Sequence, residues 1–298
     1  MVGREGKTLL KTVMFLVEEE SVKIPWVNLA QVIKNPSFER ILETFVGNDD
    51  ETEVGKSYEN LRGVCGALKN SKYGNIDVSK IAVAYPEVLV LENGGFKVGR
   101  CLDFFVKTVG VDRRDVKKVI EKYPSLLGSS VTEMSVAMNF LINREVPDVE
   151  KVVRAFPNVL TIPRHKMQSV TTFLSDIGVV NVGRFIARIP PVLSYDVKGE
   201  LKPRWEILRG EGMGSFEITR FPAFFSYPVN RIKCRYGFLR QKGISAKGLT
   251  IDDVLRGGDK DFLMMIGEGY EDYKEYEKNL RGGGNRGMRR NVRRGGKT

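Results

Sequence analysis

The sequence predicts an all-α chain built as a solenoid of two-helix repeats, and three observations carry this. A proline preceded by an apolar or aromatic residue recurs at Tyr85-Pro86, Tyr123-Pro124, Phe156-Pro157, Ile189-Pro190 and Phe221-Pro222, with separations of 38, 33, 33 and 32 residues. Two and three places after each proline stands an apolar pair: Val88-Leu89, Leu126-Leu127, Val159-Leu160, Val192-Leu193 and Phe224-Phe225. Upstream and in phase are DVSKIA (77–82), DVKKVI (115–120), DVEKVV (148–153) and NVGRFI (181–186). Such a period is that of one supersecondary unit per repeat. Strand signals are weak throughout.

In chain order, 10–16 (LKTVMFL) reads as the second helix of a degenerate unit, and 29–35 as a first helix closed by Pro36. The next second helix, 58–68, arrives late, after an insertion at 48–57 whose Asp49, Asp50, Glu51 and Glu53 suggest a solvated acidic loop. In the clear repeats the leading Asp or Asn is expected to cap a short helix, because its side-chain oxygen can accept from an orphan N–H of the first turn. The residue before each proline is pushed out of helical geometry and ends that helix. The fifth copy, Met213-Gly214-Ser215-Phe216, lacks both cap and valine. A longer helix follows each proline, marked by Phe104-Phe105, Phe140-Leu141, Phe173-Leu174, Ile207-Leu208 and Phe238-Leu239. Gly110, Gly178 and Gly243 stand where a left-handed residue would close it. The expected organisation is a solenoid over 1–280, with degenerate repeats at 1–75, clear repeats at 76–250 and a helical cap at 251–280. An Arg/Gly-rich disordered tail, 281–298, completes it.

Composition narrows the function classes. The chain has 298 residues, 42% hydrophobic and 29% charged, within the soluble globular range. No stretch is apolar enough for a membrane span. Three dispersed cysteines, Cys65, Cys101 and Cys234, suggest small core residues and not a disulfide framework or zinc site. A single histidine, His165, argues against Ser-His-Asp chemistry and multi-histidine metal sites. With no nucleophile–base pair or metal cluster visible, a non-enzymatic protein without cofactor is expected. GREGKT (3–8) lacks the first glycine and the preceding strand of a P-loop. The N-terminus shows neither a signal-peptide core nor transit-peptide character. Trp26, Trp205, Tyr227 and Tyr236 read as core or repeat-interface residues before base-stacking ones.

The net charge of +11 is uneven, because residues 281–298 hold seven cations, Arg289 and Arg290 among them, and no acid. Any nucleic-acid surface on the body must therefore come from placement. Six places before the proline sit Lys80, Lys118, Lys151 and Arg184, and two places before it sit Lys34, Lys122, Arg188 and Arg220. Offsets four apart share one helix face, so stacked repeats would align them as a stripe. A second group opens the longer helices: Lys97 and Arg100; Arg164 and Lys166; Lys198, Lys202 and Arg204; Arg231, Lys233 and Arg235. The Pro124 repeat has none there. A groove lined in this way suits phosphate oxygens. The bland alternative is a charged solvent face.

The Pro-x-apolar-apolar repeats, and FFSYPVNRIKCRYGFLRQKGI (224–244) in particular, resemble the mTERF family of mitochondrial transcription termination factors and their chloroplast relatives. The resemblance covers roughly residues 8–280. It implies a right-handed-type α-solenoid superhelix in which each repeat has two α-helices and a short 3₁₀ turn around a positively charged groove. It further implies an organellar, monomeric regulator of transcription that binds double-stranded DNA, with RNA splicing, processing or ribosome assembly as the alternative. Organellar RNA polymerase or processing factors are the implied protein partners, and the chloroplast is favoured over the mitochondrion. A protein-interaction scaffold is the rival from another class.

Overall fold

A computed structural model describes Met14 and residues 16–18, 24–35 and 51–290. GREGKT, Pro36, Asp49 and Asp50 lie outside the described residues; of the expected helix at 10–16, Met14 and Leu16 are described and helical. Among the described residues every regular element is helical and there is no strand. The chain divides into two compact units, one up to Arg164 and one from His165.

The first unit holds α1 (Trp26–Lys34), α2 (Glu51–Leu68), α3 (Val78–Ala84), α4 (Gly94–Phe104), α5 (Arg113–Lys122), α6 (Val131–Asn143) and α7 (Val149–Ala155). The acidic segment is therefore not a loop as far as it is described: Glu51 and Glu53 open α2, a helix of 18 residues. Acidic residue types suit the positive end of a helix dipole, and no proline interrupts the stretch. Two contacts seat α2 in the first clear repeat. Asn60 donates to the Leu91 carbonyl at 2.6 Å and accepts from the Gly94 N–H at 2.7 Å. A Cβ on Gly95 would meet the Gly63 carbonyl carbon at 2.8 Å, so α2 and α4 touch backbone to backbone.

The second unit holds α8 (Arg164–Asp176, whose first residue closes the first unit), α9 (Val182–Arg188), α10 (Lys202–Gly210), α11 (Ser215–Arg220) and α12 (Val229–Gln241). Its cap is α13 (Ile251–Leu255), α14 (Asp259–Ile266) and α15 (Tyr270–Arg290). The last helix runs into the stretch expected to be disordered. Its first turns are anchored by Tyr273 and Tyr276 against Phe238, and elongating an existing helix needs no new nucleus. Residues 291–298 lie outside the described residues.

Each proline works as the phase predicts. Residues 85, 123, 156, 189 and 221 share one non-helical conformation, with φ from −126° to −147° and ψ from 67° to 77°. The following five residues form a 3₁₀ turn with the proline first: Pro86–Val90, Pro124–Gly128, Pro157–Thr161, Pro190–Ser194 and Pro222–Ser226. The residue two past the proline donates its N–H to the carbonyl before it at 3.0–3.2 Å in all five. Proline opens such a turn without loss because its missing N–H would be unpaired there anyway. All five prolines and all five apolar pairs are buried.

The caps follow the motif with one shift. Asp77 accepts from Ser79 and Lys80 N–H, Asp148 from Lys151 and Asn181 from Arg184. In the second repeat the cap is Asp112, which accepts from Arg114 N–H at 2.8 Å. Asp115 stands in the first turn instead, because the earlier aspartate lets the helix start one residue before Arg114. The uncapped fifth helix begins after Gly214, whose N–H donates to Glu217 at 2.7 Å. Gly110, Gly178 and Gly243 have φ of 88°, 90° and 72°, as closing glycines require. The three cysteines are buried, and burial pushes the Cys101 thiol up to about 12.

Candidate nucleic-acid interface

The short helices present their −6 positions to solvent: Lys80, Lys118, Lys151 and Arg184 are all exposed. They are not equally free. Lys80 reaches Glu121 on the next short helix at 2.9 Å, and Lys118 pairs with Asp115 in its own first turn at 2.9 Å. Lys151 and Arg184 hold no ion pair among the described residues. In the fifth repeat the −6 position is Phe216, 67% exposed, with the Arg220 guanidinium 5.6 Å from its ring centre. At −2, Lys34 and Lys122 are exposed, and Lys122 lies 5.2 Å from the Tyr123 ring centre.

Other polar residues on these helices tie neighbouring repeats together. Arg154 contacts Asp115 at 3.7 Å and Glu150 at 3.6 Å. In the second unit Arg188 donates to the carbonyls of Thr219 and Arg220. Those carbonyls end α11, where a cation is favourable, so Arg188 is already engaged in cohesion. Glu121 gathers Lys80, Lys117 and the Asp77 N–H. Burial alone would raise its pKa, but these donors outweigh that and hold the carboxyl below its ordinary value. A lowered carboxylate stabilises the fold above its unfolded pKa, about 4.3, and that contribution is lost as pH falls through the lower folded value. Stability of the first unit should therefore fall on acidification below about pH 4, and Glu121→Gln should flatten that part of the profile. Urea titrations at stepped pH provide the check.

The second group divides. Lys97, Arg100, Arg164, Lys198, Lys202 and Lys233 are exposed, and Lys166 is half-buried. The first turns of α4, α8 and α12 contain no acidic residue. A helix built for stability alone would carry acids there and not cations, since cations oppose the positive end of the dipole. The exception is α6, whose Ser130 cap and first-turn Glu133 are conventional, in the repeat that lacks the cations. Lys198 lies within a π turn, Val197–Leu201, and Lys202 follows it; the turn is held by Asp196, which accepts from Gly199 N–H.

Two expected phosphate contacts are corrected. Arg235 is fully buried and Arg204 is 8% exposed. Arg204 donates to the carbonyls of Tyr227 at 2.9 Å and Glu200 at 2.6 Å. Arg235 donates to the carbonyls of Val254, Arg256 and Gly257 and to Asp259. Neither guanidinium can reach a phosphate. A signal for this exists in the sequence: Arg204 lies between Leu201 and Leu208, and Arg235 between Ile232 and Leu239, both at apolar-face spacing. Arg231 is half-buried and donates to the Gly257 carbonyl. Arg289 and Arg290 lie in the last turn of α15. Among the described residues no group of His, Cys, Asp and Glu could hold a metal ion, and no helix is long and apolar enough to cross a membrane.

Two-helix repeats, joined by 3₁₀ turns that open on a buried proline, define a helical-repeat protein. The mTERF family model matches residues 55–147 and 103–263, and the chain belongs to the mTERF family. No curated protein matches the chain. Family members are helical-repeat, nucleic-acid-binding proteins that are organellar in general, and membership points to a regulator of organellar gene expression.

Proposed function

We propose that the chain binds double-stranded DNA through its exposed cations and regulates organellar transcription by occupying the template. One observation carries this: cations that hold no ion pair among the described residues open helices whose first turns hold no acid. Cation and helix dipole there favour the same ligand, an anion. Backbone phosphates, which supply position and affinity without sequence readout, fit an array spaced once per repeat. Double-stranded DNA is preferred over RNA because four of the five −6 positions hold a cation and no aromatic. Single-strand binding leans on stacked aromatic platforms. Bound protein would then block polymerase or recruit processing factors, with no catalytic step.

Two experiments test this. Duplex DNA and single-stranded RNA of matched sequence are titrated across a salt series, with the full chain and with residues 281–298 removed. Binding by the body should keep a steep salt slope after removal; affinity that vanishes with the tail would favour the scaffold reading, and tighter RNA binding would favour RNA processing. Second, Lys151→Glu and Arg184→Glu should each weaken duplex binding about tenfold and lower the salt slope by about 0.9 per lost phosphate contact. Lys118→Glu should do less, since Asp115 already holds that ammonium. Equal effects for all three would count against local contacts.

A further inference from the structure

The C-terminal cap differs in character from the rest of the chain. Residues 251–280 carry nine carboxylates against four cations, in a protein of net charge +11. Much of that acid is structural: Asp259 meets Arg235 and Lys274, Glu268 and Asp272 meet Lys242, and Asp252 meets Arg256. Glu271 and Glu275, one turn apart on α15, hold no ion pair among the described residues. On α14, Phe262 and Leu263 face inward, while Met264 is 83% and Met265 42% exposed. The turn through Gly267, φ 73°, then leads directly to Tyr270, which is 43% exposed. Three large apolar side chains thus bracket one turn in an acidic setting. A phosphate backbone would be repelled here, so the nucleic-acid reading does not account for them.

We propose that this face of the cap docks a basic amphipathic helix of a partner protein. Methionine is unbranched and polarisable, and it adapts to varied apolar surfaces. Acid around exposed methionine matches a segment with lysine or arginine flanking one apolar face. The Arg/Gly-rich stretch 281–298 is a poor occupant, on the same or a second copy, because it brings only Met288 and Val292 as large apolar residues, too few to cover three side chains. The docking is independent of the duplex-binding reading, and both ligands can be held at once.

The test uses the full chain and two labelled 18-residue amphipathic peptides, one of leucine and lysine and one of leucine and glutamate, followed by fluorescence anisotropy. The leucine–lysine peptide should bind at least about tenfold more tightly than its acidic counterpart. Met264→Ser with Met265→Ser, and separately Glu271→Lys with Glu275→Lys, should each weaken it about tenfold. These residues are exposed, so thermal unfolding should be unchanged, and the methionine variant, which alters no charge, should keep its duplex affinity. That separates failure here from failure of the duplex reading. Equal binding of the two peptides, or of parent and methionine variant, overturns the proposal. So does concentration-dependent self-association in sedimentation that the methionine substitutions abolish, since a second copy would then be the occupant.

Discussion

Arg235→Ala is expected to destabilise the protein by about 3–5 kcal/mol, the range for removing one partner of a buried, hydrogen-bonded charge. The guanidinium from α12 satisfies the carbonyls of Val254 at 2.8 Å, Arg256 at 3.2 Å and Gly257 at 3.3 Å, and the Asp259 carboxylate at 3.0 Å. It also lies 4.8 Å from the Phe262 ring centre. Alanine would leave the Val254 and Arg256 carbonyls without this donor, the Gly257 carbonyl with only Arg231, and Asp259 with only Lys274, at 3.3 Å. The damage should begin at the cap, with α13 and α14 losing hydrogen-exchange protection before α8 and α9 do. Arg235→Lys should recover little, because an ammonium cannot reproduce the planar fork of donors. Urea unfolding with exchange mass spectrometry reads both effects. If the alanine variant kept its stability and lost duplex affinity instead, Arg235 would be a ligand contact after all.

Phe225→Ala should cost a comparable amount, about 3–5 kcal/mol, as large-to-small changes in a packed core do. Phe225 is fully buried and meets three rings edge-to-face: Phe224 at 5.4 Å, Phe185 at 6.2 Å and Phe173 at 6.4 Å between centres. These rings come from the fifth 3₁₀ turn, α9 and α8, so one side chain joins three elements of the second unit. Phe225→Leu, which keeps much of the volume, should cost far less. Thermal unfolding of the two variants provides the comparison. A cost for alanine below about 1 kcal/mol would mean that the repeat interface does not rest on this cluster.

The repeat was legible because its determinants are local. A proline that cannot continue a helix, a residue before it that cannot be helical, and a capping oxygen at the start of the next helix all act within one turn of chain. Where two such determinants competed, as Asp112 and Asp115 do, spacing alone misplaced the cap by three residues. Composition misled in a different way. Acids at 51 and 53 and glycines after 281 resemble loop sequence, but each continues or opens a helix whose packing lies elsewhere in the chain, through Asn60 and Gly63 in one case and Tyr273 and Tyr276 in the other.

By itself the sequence determined the all-α repeat, the five buried prolines, the closing glycines and the exposure of the −6 cations, because each depends on the residue's own backbone preference or on helical periodicity. Only the tertiary structure decided which cations are free. Among the described residues Lys151 and Arg184 remain so, whereas Lys80 is tied to Glu121 and Arg188 to the end of α11. Arg235 disappears into the cap, where Val254 to Asp259 supply its acceptors. A charge's availability depends on which carbonyl or carboxylate the fold brings within about 3 Å, and that neighbour lies 19 to 41 residues away in these cases, beyond the reach of any local rule.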